Sequence, residues 1–201
     1  MKKILSLLLM LMMLIPCAAL AEAPAIELTT YTHPGQLYTI GYPSDWMALD
    51  KDIIETVAAN GTIEGIDEAT LQAYAQQVTS MDMAIFSSGA TENFNIVAQE
   101  LGMDMDANML VSAVAPGLVS QFESVFENCT ISDSGSVVTF NERDYLTLSF
   151  SYELSGMSLN CRQYMIVVNG TLLNFTFTVA ADYADTDALC ETVMNSVTLA
   201  A

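Results

Sequence analysis

Apolar and polar positions alternate over 145–154. Leu146, Leu148, Phe150, Tyr152 and Leu154 fall on one side of a strand, and Thr147, Ser149, Ser151 and Glu153 on the other. Ser155-Gly156 ends that strand, and the next runs over 157–168. Asn169-Gly170 then supplies the positive φ that a two-residue hairpin turn needs at both central positions. Counting back from this turn pairs Tyr164 with Phe175 and Cys161 with Thr178. The pairing places Ile166, Val168, Leu173, Phe175 and Phe177 on one face. Met157, Leu159, Met165 and Val167 join the apolar set of 146–154 on the other. A β-meander over 129–179 with two apolar faces must be covered on both sides.

The cover is expected from helices. From Asp106 onward, Leu110, Val111, Val114, Leu118, Phe122 and Val125 form an apolar stripe, which Pro116-Gly117 should kink or split. Leu71, Tyr74 and Val78 have helical spacing within a polar stretch and predict a surface helix over 62–79, with Ile66-Asp67 near its start. A last helix is expected over 185–195. Before the meander, strands are read over 27–31, 37–42, 81–86 and 93–100, with a turn at Pro43-Ser44-Asp45-Trp46. The fold class is α+β, an α/β/α sandwich with a central, mainly antiparallel sheet.

The N-terminus reads as an export signal. Lys2 and Lys3 precede an apolar run over 4–15, broken only by Ser6 and too short to span a bilayer. Ala19-Leu20-Ala21 presents small residues at alternate positions, so cleavage after Ala21 should leave Glu22 as the first mature residue. The organisation is then a signal peptide over 1–21 and a single domain over 22–201. Leu14-Ile15-Pro16-Cys17 offers the alternative of a lipoprotein anchored at Cys17, although Pro16 stands where a lipobox takes a small residue. No later segment is long and apolar enough to be a transmembrane helix.

Charge and cysteines narrow the function classes. The chain carries −19, and the mature part keeps only Lys51, Arg143 and Arg162 against 24 acids, a net of −21. Such a field repels nucleic acid and anionic lipid and favours solubility; it reads first as a solvated acidic surface, with attraction of cations or a basic partner as the alternative. Cys129, Cys161 and Cys190 remain after cleavage, an odd number that allows one bridge at most. If a disulfide forms, Cys161 to Cys190 is the candidate, a strand cysteine beneath the last helix. No C-x-x-C spacing points to zinc or dithiol redox chemistry.

The segments Tyr38-Thr39-Ile40-Gly41-Tyr42-Pro43-Ser44-Asp45-Trp46, Asn93-Phe94-Asn95-Ile96-Val97 and Glu191-Thr192-Val193-Met194-Asn195-Ser196-Val197, with the long helix and the meander between them, resemble in that order the PsbP-like proteins. That family includes the extrinsic photosystem II subunit and many small exported bacterial proteins. The resemblance covers nearly all of the mature chain. It implies the PsbP/Mog-type α/β/α sandwich and, for the most part, non-enzymatic binding or assembly roles. It does not extend to photosynthesis, and the chain departs from the family in its lysine poverty and its insert-like stretch over 60–79.

Candidate chemistry is thin. His33 is the chain's only histidine and sits in a Thr-His-Pro turn, a poor place for the base of a triad. Asp104-Met105-Asp106-Ala107-Asn108 opens like an EF-hand loop, but Met109 replaces the required glycine and Ala115 the closing glutamate. A helix N-cap accounts for these aspartates better. Trp46 is read as an aromatic plug at one end of the core rather than a stacking platform. The expectation is therefore an exported, non-catalytic binding or assembly module for another protein, without a catalytic site, metal site or cofactor. The alternatives are a hydrolase of wall or lipid material and a small-ligand or divalent-cation binding module.

Overall fold

The structure is a computed structural model that describes residues 26–50, 82–87, 92–154 and 156–200. The helix expected over 62–79 and the cleavage site at Ala21 and Glu22 lie outside the described residues.

A seven-stranded sheet forms the centre, in the order β3-β4-β5-β9-β8-β7-β6. Its strands are β3 (Met47–Asp50), β4 (Met83–Phe86), β5 (Asn93–Glu100), β6 (Glu127–Phe140), β7 (Arg143–Leu154), β8 (Met157–Val168) and β9 (Thr171–Ala180). Each pairing is antiparallel. The Asn169-Gly170 turn sets the expected register, with Tyr164 opposite Phe175 and Cys161 opposite Thr178. Both turn residues have positive φ, 50° and 74°. The tip is held from outside by Asp104, whose Oδ1 accepts the Gly170 N–H at 2.8 Å.

The two faces bury different clusters, as the period-two reading requires. On one face Leu146, Leu148, Phe150, Cys161 and Met165 pack against α1 (Ala107–Ala113) and α2 (Ala115–Val125) through Leu110, Ala115 and Phe122. Pro116 splits the expected stripe into these two helices: it occupies the first turn of α2, where the missing N–H costs nothing, and Val114 forms the joint. Phe122 stacks on Phe150 at 4.4 Å and Phe126 meets Tyr152 at 4.3 Å between ring centroids. Burying the Phe122 and Phe150 rings contributes about 1.5–3 kcal/mol each, and half-buried Phe126 and Tyr152 less.

On the other face Phe94, Tyr145, Tyr164, Phe175, Phe177 and Val179 pack against Leu189, Cys190, Val193 and Met194 of α3 (Thr186–Asn195). Helices alone do not cover this side. A three-stranded sheet of β1 (Leu28–Thr32), β2 (Tyr38–Pro43) and β10 (Thr198–Leu199), in the order β1-β2-β10, completes the layer with Tyr38 and Ile40.

That small sheet joins segments near the two ends of the described residues. Thr198 and Leu199 pair with Thr39 and Tyr38. The Gly41 N–H donates to Ser196 Oγ at 2.7 Å, and a Cβ at position 41 would come within 2.7 Å of Leu28. From the β6–β7 turn, the Asn141 amide donates to the carbonyls of Asn195 and Val197 at 2.7 and 3.0 Å, satisfying acceptors that the end of α3 leaves open. Trp46, half-buried, packs against the same core.

Candidate functional site

The polar alternates of β7 and β8 line a groove. Ser149 lies opposite Arg162, and Ser151 opposite Asn160. Period-two geometry turns all four toward the α3 side, beyond the edge of the aromatic core. With Ser132 of β6 and the segment from Ala184 to Ala188 that leads into α3, they line about 610 Å³. Ser132 Oγ donates to the Ser149 carbonyl at 3.1 Å and so fixes one wall.

Arg162 spans the groove toward the helix. Its Nη1 lies 2.7 Å from Asp187 Oδ1, with the arginine half-buried and the aspartate 81% exposed. Burial disfavours the guanidinium charge, but the neighbouring Tyr164 and Asp187 more than offset this and keep it protonated. An ion pair this open to water contributes little to stability. Its oxygens can exchange Arg162 for a ligand group at small cost. Asp185 and Asp187 add negative charge at the mouth. The site thus offers hydroxyls, an amide and a switchable ion pair, a set suited to hydrogen-bonded recognition. The chain's single histidine is not among its lining residues.

His33 lies elsewhere, in the turn joining β1 and β2. Its Nδ1 accepts the Gly35 N–H at 3.0 Å, its Nε2 is 3.7 Å from Asp82 Oδ2, and its ring is 5.1 Å from that of Tyr38. An acid and a base are thus adjacent, though 3.7 Å is too long for a hydrogen bond. The buried Tyr38 hydroxyl is a poor nucleophile. Burial first, then Asp82 and Tyr31, push the Tyr38 phenol far above its ordinary value, which disfavours the phenolate.

Asp104 and Asp106 are structural. Asp106 caps α1, its Oδ1 accepting the Met109 N–H at 2.8 Å, as the sequence suggested. Asp104 does not help at that helix end but holds the Gly170 turn. Among the described residues no group of three or more His, Cys, Asp or Glu side chains is arranged to hold a metal ion.

Cys129, Cys161 and Cys190 are all free thiols. The expected bridge between Cys161 and Cys190 assumed that both belong to the layer under the last helix. Cys161 instead packs with Phe150 and Met165 beneath α1 and α2, whereas Cys190 packs with Tyr164 and Val193 on the opposite face. The parity of residue 161 on its strand sets this: Arg162 and Tyr164, not Cys161, face α3. Burial pushes the Cys161 thiol up to about 12 and the Cys190 thiol to about 11, so neither is a ready nucleophile.

The groove itself was not anticipated. Its signal lay in the serines at 149 and 151, already read as the polar half of an alternation. The cavity also needs the β9–α3 connection, whose path no local pattern specifies.

No family model and no curated protein matches the chain at the level of sequence. Solved structures do match it. Cyanobacterial PsbP (CyanoP) from Synechocystis sp. PCC 6803 superposes with a TM-score of 0.56 at 16% identity, covering 90% of this chain and 96% of that one. LpqN of Mycobacterium tuberculosis, involved in cell envelope biogenesis, gives 0.52 at 14% identity over 87% and 91%. The Saccharomyces cerevisiae Ran-binding protein Mog1p gives 0.51 at 7% identity over 87% and 96%. The antiparallel sheet, its two covering layers and these superpositions together establish that the chain carries the PsbP/Mog-like α+β sandwich fold.

Proposed function

We propose that this chain is an exported, non-catalytic module that binds another protein, with the groove between β7, β8 and the start of α3 as its recognition pocket. The observation that carries the reading is the groove's lining. Ser149, Ser151, Asn160 and the Arg162–Asp187 pair supply hydrogen-bonding capacity without a base positioned on a nucleophile. Two bearers of the fold point the same way, one a Ran-binding protein and the other involved in cell envelope biogenesis. Export is supported by Lys2, Lys3, the apolar run over 4–15 and the Ala19-Leu20-Ala21 site. A mature charge of −21 favours a basic partner, whose approach is steered electrostatically.

Crosslinking in intact cells, with the crosslinked residues identified by mass spectrometry, tests this. The expected result is a partner joined at groove-lining positions, lost with Asn160→Ala, whose association slows as salt rises. Absence of any partner, together with ester or amide hydrolysis by the purified protein that His33→Ala abolishes, would replace the reading with a hydrolase built on His33 and Asp82.

A further inference from the structure

One end of the sheet exposes apolar side chains within negative charge that no basic side chain among the described residues balances. The β7–β8 hairpin closes there, with Leu154 opposite Met157 at its tip. These two side chains are 52% and 49% exposed, and Val125, at the end of α2, is 65% exposed. Beside them Met157, Leu159, Ala180 and Ala181 line a cavity of about 380 Å³ with Asp182 at its rim. Leu159 is buried and lines it beside Met157, Ala180 and Ala181, so the cavity can seat an apolar side chain.

The charges around this patch repel one another. Glu127 and Glu153 stand directly opposite across β6 and β7, a like-charged cross-strand pair that costs stability in isolation. Asn128, in a left-handed conformation with φ of 51°, turns its amide to donate to Glu153 Oε2 at 2.8 Å, which relieves the pair only in part. The α2 helix points its C-terminus at the same place with no basic residue in its last turn, adding the negative end of its dipole. Neither arginine stands at this end: Arg143 lies at the far end of β7, and Arg162 is bonded to Asp187 on the α3 face.

Resting on the binding-module reading, we infer that this hairpin end is the docking surface for a cationic amphipathic segment of the partner. Its apolar residues cover Val125, Leu154 and Met157 on the α1–α2 side, and its Lys or Arg residues reach Asp182 at the cavity rim and, round the strand end, Glu127 and Glu153, which alternation turns to the other face. Charge selects the occupant. A second copy of the mature chain brings −21 of its own, and an anionic membrane is repelled likewise.

The test uses the full mature chain and a synthetic lysine–leucine peptide patterned as an amphipathic helix, followed by calorimetry and hydrogen–deuterium exchange. Control peptides carry serine for leucine or glutamate for lysine. Leu154→Ser with Met157→Ser should weaken binding about tenfold, as loss of a central apolar anchor does. Glu127→Gln with Glu153→Gln should weaken it about threefold and flatten its salt dependence. Glu142→Gln with Asp144→Asn, an equal charge change at the opposite end of β7, should leave it nearly unchanged. Protection on binding should fall on 125–127, 153–154, 156–159 and 180–182. Equal weakening by the Glu142 and Asp144 pair, or no saturable binding, overturns the docking surface. A footprint confined to the groove overturns it while leaving the proposed function standing, whereas peptide binding without any cellular partner counts against the proposed function alone. A dimer dissociated by the Leu154 and Met157 pair, or vesicle binding lost with it, overturns it in favour of a second copy or a membrane.

Discussion

Gly135→Ala should destabilise the protein through two separable effects. Gly135 sits in β6 where the register with β7 slips between Asp133 and Ser136, and its φ of +131° is one that side chains rarely adopt. Forcing alanine into such a region costs about 1–3 kcal/mol. The new Cβ would also lie 2.9 Å from the Cβ of Ala115, the buried first residue of α2. Ala115 has no rotamer by which to yield, so the helix or the strand must move, at a further cost of about 1–3 kcal/mol. We expect a loss of about 3 kcal/mol in urea unfolding followed by far-UV circular dichroism and Trp46 fluorescence, and a melting temperature lower by on the order of 10 °C. Ala115→Gly separates the two effects. Alone it costs about 1 kcal/mol as a helical glycine. In the Gly135→Ala background it removes the clash but not the φ strain, and should recover about 1 kcal/mol beyond additivity. A Gly135→Ala protein within about 0.5 kcal/mol of the parent, or strict additivity in the cycle, would refute the account of how α2 sits on β6.

Alkaline pH should destabilise the fold. Burial raises Cys161 to about 12 and Cys190 to about 11 from an ordinary 9.0, and Tyr145 and Tyr152 to about 12 from 10.0. The folded chain retains protons that the unfolded chain has lost, so their contribution is full below pH 9 and falls as pH rises toward 12; the slope of melting temperature against pH measures this, and Cys161→Ala should flatten it. Asp106→Ala should lower stability by about 1 kcal/mol through loss of the α1 cap. Asp104→Ala should cost about the same by leaving the Gly170 N–H without its acceptor, and amide exchange should quicken at Gly170 in this variant only. For export, the intact mass of protein from its native host should begin at Glu22; a chain beginning at an acylated Cys17 would place the domain on a membrane instead.

What the sequence determined by itself was what short-range rules govern. The β8–β9 register followed from Asn169-Gly170, because a two-residue turn leaves no freedom in pairing the strands it joins. The split between α1 and α2 followed from Pro116, and the composition of the sheet faces from period-two alternation. Three features waited on the tertiary structure, each because it depends on elements distant in sequence. The β1-β2-β10 sheet joins residues more than a hundred positions apart, and β10 is too short to carry a pattern of its own. Cys161 and Cys190 were correctly placed on a strand and a helix, but which face α3 covers is decided by how the chain turns after β9, and it covers the face of Arg162. The groove and the acidic hairpin end likewise exist only where side chains from three or more elements converge. Alternation can say that Ser149, Ser151 and Glu153 point away from one core, but not what stands opposite them, because that is fixed by long-range packing rather than by the local chain.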